Sequence, residues 1–238
     1  MKPFIFITLY LHCIAAKIDT MSDTQLINET ADFIKQKLLG ESSGHDWWHV
    51  YRVWQLTKTI ADNEPEADRL TVELGAILHD IADWKFTDGD LEAGPKAARQ
   101  WLESKGVSEE VITHIEDIIR DTSFKGANVD LNLKTVEAKI VFDADKLDAI
   151  GAIGIGRTFA YGGSNNRSMY EPDQKPTMHD SFEAYKNSNS PTINHFYEKL
   201  LLLKDLMYTE TGKRLAQHRH VVMKQFLDEF FKEWEGEA

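Results

Sequence analysis

Apolar positions recur at helical spacing along almost the whole chain from Thr24 onward. Leu26, Phe33, Ile34 and Leu38 give a stripe that predicts a helix over 25–39, ended by Gly40. A second helix, over 45–63, carries Trp48, Val50, Trp54, Leu56 and Ile60, and Pro65 punctuates it. The stretch 70–79 is nearly all apolar (Val72, Leu74, Ala76, Ile77, Leu78), the pattern of a buried helix. Helices over 95–105 and 108–120 follow, the latter with Val111, Ile112, Ile115, Ile118 and Ile119 on one face. A long helical stretch is predicted over 135–161. Residues 162–190 then lose periodicity and fill with Gly, Asn, Ser and Pro, a loop long enough to expect a function for it. Two helices, over 192–208 and 212–234, close the chain. No strand pattern, repeat or low-complexity tract stands out. The prediction is an all-α fold, one domain over 21–238.

Composition narrows the classes. Of 238 residues, 42% are hydrophobic and 11% aromatic, enough for a packed core and too many for a disordered chain. Lys and Arg number 27 against 39 Asp and Glu, a net charge of −12, which excludes nucleic acid and anionic membrane surfaces as expected partners. The single cysteine, Cys13, excludes an intrachain disulfide and a Cys-based zinc site and points to a reducing compartment, the cytoplasm. Residues 1–20 stand apart. Lys2 precedes an apolar run over 4–16, broken by Thr8 and His12 and too short to span a bilayer. It has the size of a signal-peptide core with a cleavage point after Ala15, which would mean export. Met21, followed by Ser22 and Asp23 as good N-caps, reads instead as the working start. Either way 1–20 is an extension outside the fold.

Histidine and aspartate gather in three places: His45-Asp46-Trp47-Trp48-His49, His79-Asp80 with Asp83 after it, and Asp143-Ala144-Asp145-Lys146-Leu147-Asp148. Imidazole and carboxylate without thiolate suit a divalent ion of hard to borderline character. His45 and His49 share a helix face, with Arg52 one turn on. Adjacent His79 and Asp80 splay by about 100° in a regular helix and reach one ion only near a helix end. Asp145 and Asp148 can share a face; Asp143 and Asp145 cannot. The dipeptide itself means little, since three occur where composition alone gives about 0.8 by chance. Its context counts for more: an unpaired carboxylate at the end of the most apolar helix costs several kcal/mol, roughly, unless a cation compensates it.

His49, then His79-Asp80, then Asp145, in that order and all on predicted helices, resembles the HD superfamily of metal-dependent phosphohydrolases. The stretches HDWWHVYRVW, GAILHDIADWK, DADKLDAIGAIGIGRTFAYGG and HFYEKLLLLKDLMYTETGKRLA are similar to its small stand-alone bacterial and fungal branch. The resemblance runs from about Thr24 to Trp234. It implies a single HD-type helical domain in which His49, His79, Asp80 and Asp145 ligate one divalent metal, with Mn placed ahead of Mg, Fe, Co or Ni. His49 is preferred to His45 because the family's first histidine has a branched residue four positions on, here Val53. His45 and Asp46 then become groups that orient a ligand or meet the substrate; the alternative is an N-cap of that helix, for which Asp46 is the better residue.

The implied chemistry is hydrolysis of a phosphate ester or anhydride, with water and a phosphoryl oxygen in the two positions that four protein ligands leave open. Asp83 and Asp80 are the expected catalytic acids; Asp83 would activate water or protonate the leaving group. Arg52, Lys85, His45, Asp46 and Asp148 are the groups expected around the substrate, with Arg52 and Lys85 foremost for phosphate. The order Gly151, Gly154, Gly156 is not a dinucleotide fingerprint and reads as close helix packing. Tyr161 and the loop over 162–190 are placed to cover a base. Only His114 lies between the HD pair and the last aspartate, so one metal is expected rather than two. His195, His218 and His220 read as structural or surface groups. The substrate expected is a nucleotide, cleaved from nucleoside triphosphate to monophosphate and pyrophosphate. A nucleoside monophosphatase, a cyclic-nucleotide diesterase and, from another class, a non-catalytic nucleotide sensor are the alternatives. The aromatic C-terminus offers a possible homodimer face.

Overall fold

In the computed structural model, residues 21–40, 46–82, 90–122, 133–177 and 190–237 are described. Residues 1–20, and with them both readings of the N-terminus, lie outside that set, as do His45, Asp83, Lys85 and part of the predicted loop. The described residues form helices α1 (Asp23–Lys37), α2 (Trp47–Ala61), α3 (Arg69–Leu78), α4 (Ala93–Ser104), α5 (Glu109–Thr122), α6 (Val136–Asp148) and α7 (Gly151–Ser164). These are followed by a short α8 (Asn194–Glu198), a 3₁₀ turn over Leu200–Leu206 and a long α9 (Glu210–Glu235), with no strand among the described residues. The family of folds is all-α.

Side-chain caps fix most starts. Ser22, Asp46, Asp68, Thr135 and Thr209 each accept a hydrogen bond from the backbone three residues on, supplying a partner that the first turn of a helix otherwise lacks. Two expectations change. The stretch predicted as one helix over 135–161 breaks after Asp148, because Ile150 is extended and Gly151 sits at φ 78°, where only glycine is unstrained. A Cβ there would also lie 2.9 Å from Cβ and Cγ of Arg219. The expected close packing therefore holds at Gly151, and nothing lies near a Cβ built at Gly156. The helix predicted over 192–208 divides into α8 and the 3₁₀ turn.

The apolar residues form two clusters. One gathers Ile140, Val141, Phe142, Phe196, Leu203, Ala216 and Met223 around α6; the other gathers Ile34, Leu102, Ile112, Ile115 and Ile119 from α1, α4 and α5. Helices α2 and α3 belong to both, α2 through Val53 and Ile60 on one side and Val50 on the other, α3 through Val72 and Ala76 against Leu74, Ile77 and Leu78. The two helices that carry His49 and lead into His79 are thus clamped on both flanks. Phe226 and Phe230 of α9, within the expected dimer face, pack inside the chain against Phe159, with Phe226 also on Phe196.

Asp143 ties α6 to α9. It is fully buried and accepts from Tyr208 N at 2.9 Å, Thr209 N at 2.8 Å and Thr209 Oγ1 at 2.7 Å; Gly212 leaves room for its carboxylate. Burial pushes its pKa up, against the pull of those bonds. Asp143→Ala strands three buried donors, so unfolding in denaturant should show a loss of about 1–3 kcal/mol. A change below about 0.5 kcal/mol, the range of an ordinary surface substitution, would contradict this role.

Candidate metal centre

Three elements supply the site, each for a local reason. Asp46 caps α2 and accepts from His49 N at 2.9 Å, which fixes the first turn from which the His49 ring projects inward, 1% exposed. Helix α3 ends at Leu78, and His79 is its C-cap with Asp80 in the turn after it. Adjacent residues at a helix end escape the splay of a helix interior, so both side chains reach the same point. Asp145 and Asp148 stand one turn apart on α6, both toward α2.

The polar atoms converge closely. His49 Nε2 lies 3.2 Å from His79 Nε2, 3.3 Å from Asp80 Oδ2 and 3.5 Å from Asp145 Oδ1. His79 Nε2 lies 3.4 Å from Asp80 Oδ2 and 3.9 Å from Asp145 Oδ1. The far sides of both rings decide what these atoms are. His49 Nδ1 faces Asp148 Oδ2 at 2.8 Å, and His79 Nδ1 faces the Ala76 carbonyl at 2.8 Å. Both partners only accept, so each neutral ring carries its proton on Nδ1 and turns a lone pair inward on Nε2. Two lone pairs and two carboxylates then face one another, an arrangement that calls for a shared proton or a cation. His49, His79 and Asp145 each offer an atom within 4.8 Å of the others, a spacing that suits one ion, and Asp80 adds a fourth oxygen beside both imidazoles. The donor set fits a divalent cation of the Mn, Fe, Co, Ni, Zn or Mg kind.

Charge supports the fit. Burial works against charge on His49, but its bonds to Asp148 and Asp80 outweigh it and hold the ring's pKa up at about 9, so without a cation Nε2 keeps a proton, in the place that a metal ion would take from it. Partial burial works against charge on Asp145 too, yet Lys146 and the two histidines keep it well below the usual carboxylate range. Asp148 is held at about 2: burial raises it, and His49 and Arg52 bring it down further. The carboxylates are therefore ionised.

Asp148, expected among the groups around the substrate, is 1% exposed behind His49, gripped by Arg52 Nε at 2.6 Å, Arg52 Nη2 at 3.0 Å and Arg157 Nη1 at 2.6 Å. Sequence reasoning looked for the partner of a ligating histidine in His45 and Asp46. Asp46 is the cap of α2, and Asp148, three residues after Asp145, holds the ring. The spacing of Asp145 and Asp148 was the signal that could have found it. Arg52 spends its fork on that carboxylate and stays partly exposed, at 29% of its side chain. Arg219 of α9, which no sequence pattern pointed to, donates to the Leu147 carbonyl. His114 is elsewhere, 3.0 Å from Thr135 Oγ1. His195 is partly buried, and desolvation with Lys199 and Arg167 nearby takes it down to about 3.

The comparison with known families decides the ancestry. Residues 47–150 match the HD domain model. YpgQ of Bacillus subtilis is 35% identical over 217 residues, 91% of this chain and 97% of YpgQ. The chain belongs to the HD family. A crystal structure of an HD-superfamily hydrolase from Bacillus thuringiensis superposes on this HD protein with a TM-score of 0.72, at 40% identity over 90% of this chain and 100% of that one. YpgQ in complex with ADP gives a TM-score of 0.70, at 32% identity over 89% and 100%. The matched span holds His49, His79, Asp80, Asp145 and Asp148, while Arg157 and Arg219 come from beyond it.

Asp148→Asn keeps the volume and removes the charge that orients His49. Manganese affinity, measured by competition with a chelating dye, should fall on the order of ten- to a hundredfold. An unchanged affinity would contradict the orienting role.

Proposed function

We propose that this HD protein is a metal-dependent phosphohydrolase of nucleotides, cleaving a nucleoside triphosphate to monophosphate and pyrophosphate. The observation that carries the reading is the convergence of His49, His79, Asp80 and Asp145 with lone pairs inward and each proton turned outward. Those four would hold one divalent ion, manganese first. Bound there, such an ion supplies Lewis acidity toward a phosphoryl oxygen and a lowered pKa for water. Nucleotide as the substrate class draws support from YpgQ, a 35% identical relative that has been solved with ADP.

The chain's own residues do the rest. Asp148 keeps the His49 proton on Nδ1 so that Nε2 remains a donor of electrons. Arg52 and Arg157 place two positive charges on one carboxylate, and the surplus favours a phosphate alongside, with Arg52 as the group that meets it. Asp80, 15% exposed in its side chain and beside both imidazoles, is the acidic group at hand to orient an attacking water. Asp83 completes the reading as the acid or base for the water and leaving group, with Lys85 and His45 on the phosphates. Asp83 stands on the resemblance of its position to the family, and Lys85 and His45 on their closeness in sequence to Asp83 and His49. No helix among the described residues is long and apolar enough to cross a membrane, and we place the protein in the cytoplasm.

The test uses protein stripped of metal and reloaded with manganese, a panel of nucleoside mono-, di-, tri- and cyclic phosphates, and Asp80→Ala as control. Monophosphate and pyrophosphate from triphosphates, lost in the control by a factor on the order of a hundred or more, is the expected result. Nucleoside with inorganic phosphate would replace the reading by a monophosphatase. Binding without turnover would replace it by a nucleotide sensor.

A further inference from the structure

Asp145 shows its two oxygens to different partners. Oδ1 faces the imidazoles, 3.5 Å from His49 Nε2 and 3.9 Å from His79 Nε2, while Oδ2 accepts from Lys146 Nζ at 2.7 Å. That contact is not a default of helix geometry. Side chains at i and i+1 diverge by about 100° and do not normally face each other. Lys146 has to fold back, and its ammonium rests 4.9 Å over the ring of Phe142, one turn earlier on α6. Its side chain is only 10% exposed. Burying an ammonium is costly unless a carboxylate compensates it, and Asp145 is the carboxylate it touches. Phe142 is 2% exposed in the core, so the platform under the ammonium is rigid.

The pattern repeats at three of the four ligands proposed: Asp148 ties the back of His49, the Ala76 carbonyl ties the back of His79, and Lys146 ties the second oxygen of Asp145. For a carboxylate the consequence is specific. An untied second oxygen competes for the ion and takes up a position that water or substrate needs. On the reading given under the proposed function, we infer that Lys146 is a positioning residue that restricts Asp145 to one-oxygen ligation. It thereby keeps a coordination position available to the reacting groups. Its charge acts through Asp145 and not on the substrate.

The experiment compares wild type with Lys146→Met, Lys146→Gln and Lys146→Arg, each shown to be folded by circular dichroism and thermal melting. Bound manganese is counted by equilibrium dialysis, and its exchangeable waters by water-proton relaxation enhancement. Lys146→Met and Lys146→Gln should still bind one ion per chain. With a second Asp145 oxygen on an octahedral ion, the relaxation enhancement should fall to about half, since one of two open positions is lost. Nucleotide turnover should fall on the order of ten- to a hundredfold in kcat with KM little changed, and Lys146→Arg should restore both readouts. Unchanged relaxation enhancement in Lys146→Gln overturns the inference. So does a loss carried by KM alone, which would put the ammonium on the substrate. If Lys146→Met does not fold, Gln and Arg carry the comparison. Failure of wild type to bind manganese is a separate result that removes the metal reading itself, and this inference with it.

Discussion

Two imidazole nitrogens lie 3.2 Å apart with two carboxylate oxygens 3.3 to 3.9 Å from them, and almost everything else in the site exists to hold that arrangement. Like poles do not gather unaided. The rings could relieve the crowding by flipping or changing tautomer, and both routes are shut from behind. The Ala76 carbonyl closes one ring and Asp148 the other. Asp148 could drift toward water, but two arginines grip it within the protein. The backbone adds its part, with α2, α3 and α6 in mutual contact and two apolar clusters clamping α2 and α3 between them. Gly75 lets α3 lie close to α5 and α6: a Cβ there would press on Ile118 at 3.3 Å and meet Val141 at 3.6 Å.

The charges of the site run against those of the chain. With a net charge of −12 the protein as a whole repels polyanions. Around Asp145 and Asp148, however, Lys146, Arg52 and Arg157 concentrate positive charge at short range. Partly buried, such groups are screened less than charges at the open surface. On the proposed function, that local charge is what would meet a small phosphorylated molecule. The site's own acidity is reserved for a cation.

The fold was readable because α-helices announce themselves locally. Apolar spacing and caps such as Ser22, Asp68 and Thr135 are properties of a few consecutive residues, so their signal survives without tertiary context. The need for a helix end at His79-Asp80 and the shared face of Asp145 and Asp148 were legible for the same reason. The break at Gly151 was hidden in an otherwise helical pattern, because it answers to Arg219 from α9, far along the chain. The place of Asp148 was hidden likewise: a carboxylate on a helix face reads as open to solvent until α2 and α7 bring Arg52 and Arg157 over it. What the sequence withheld were contacts between distant segments, and these set how the ligands are held more than which residues they are.

The most direct test is a crystal of the manganese-loaded protein with diffraction data collected on either side of the manganese absorption edge. The account predicts one anomalous peak per chain, within bonding distance of His49 Nε2, His79 Nε2, Asp80 Oδ2 and Asp145 Oδ1, with Asp148 still on His49 Nδ1. A peak held by other residues, or no peak between the two imidazoles at saturating manganese, would contradict it.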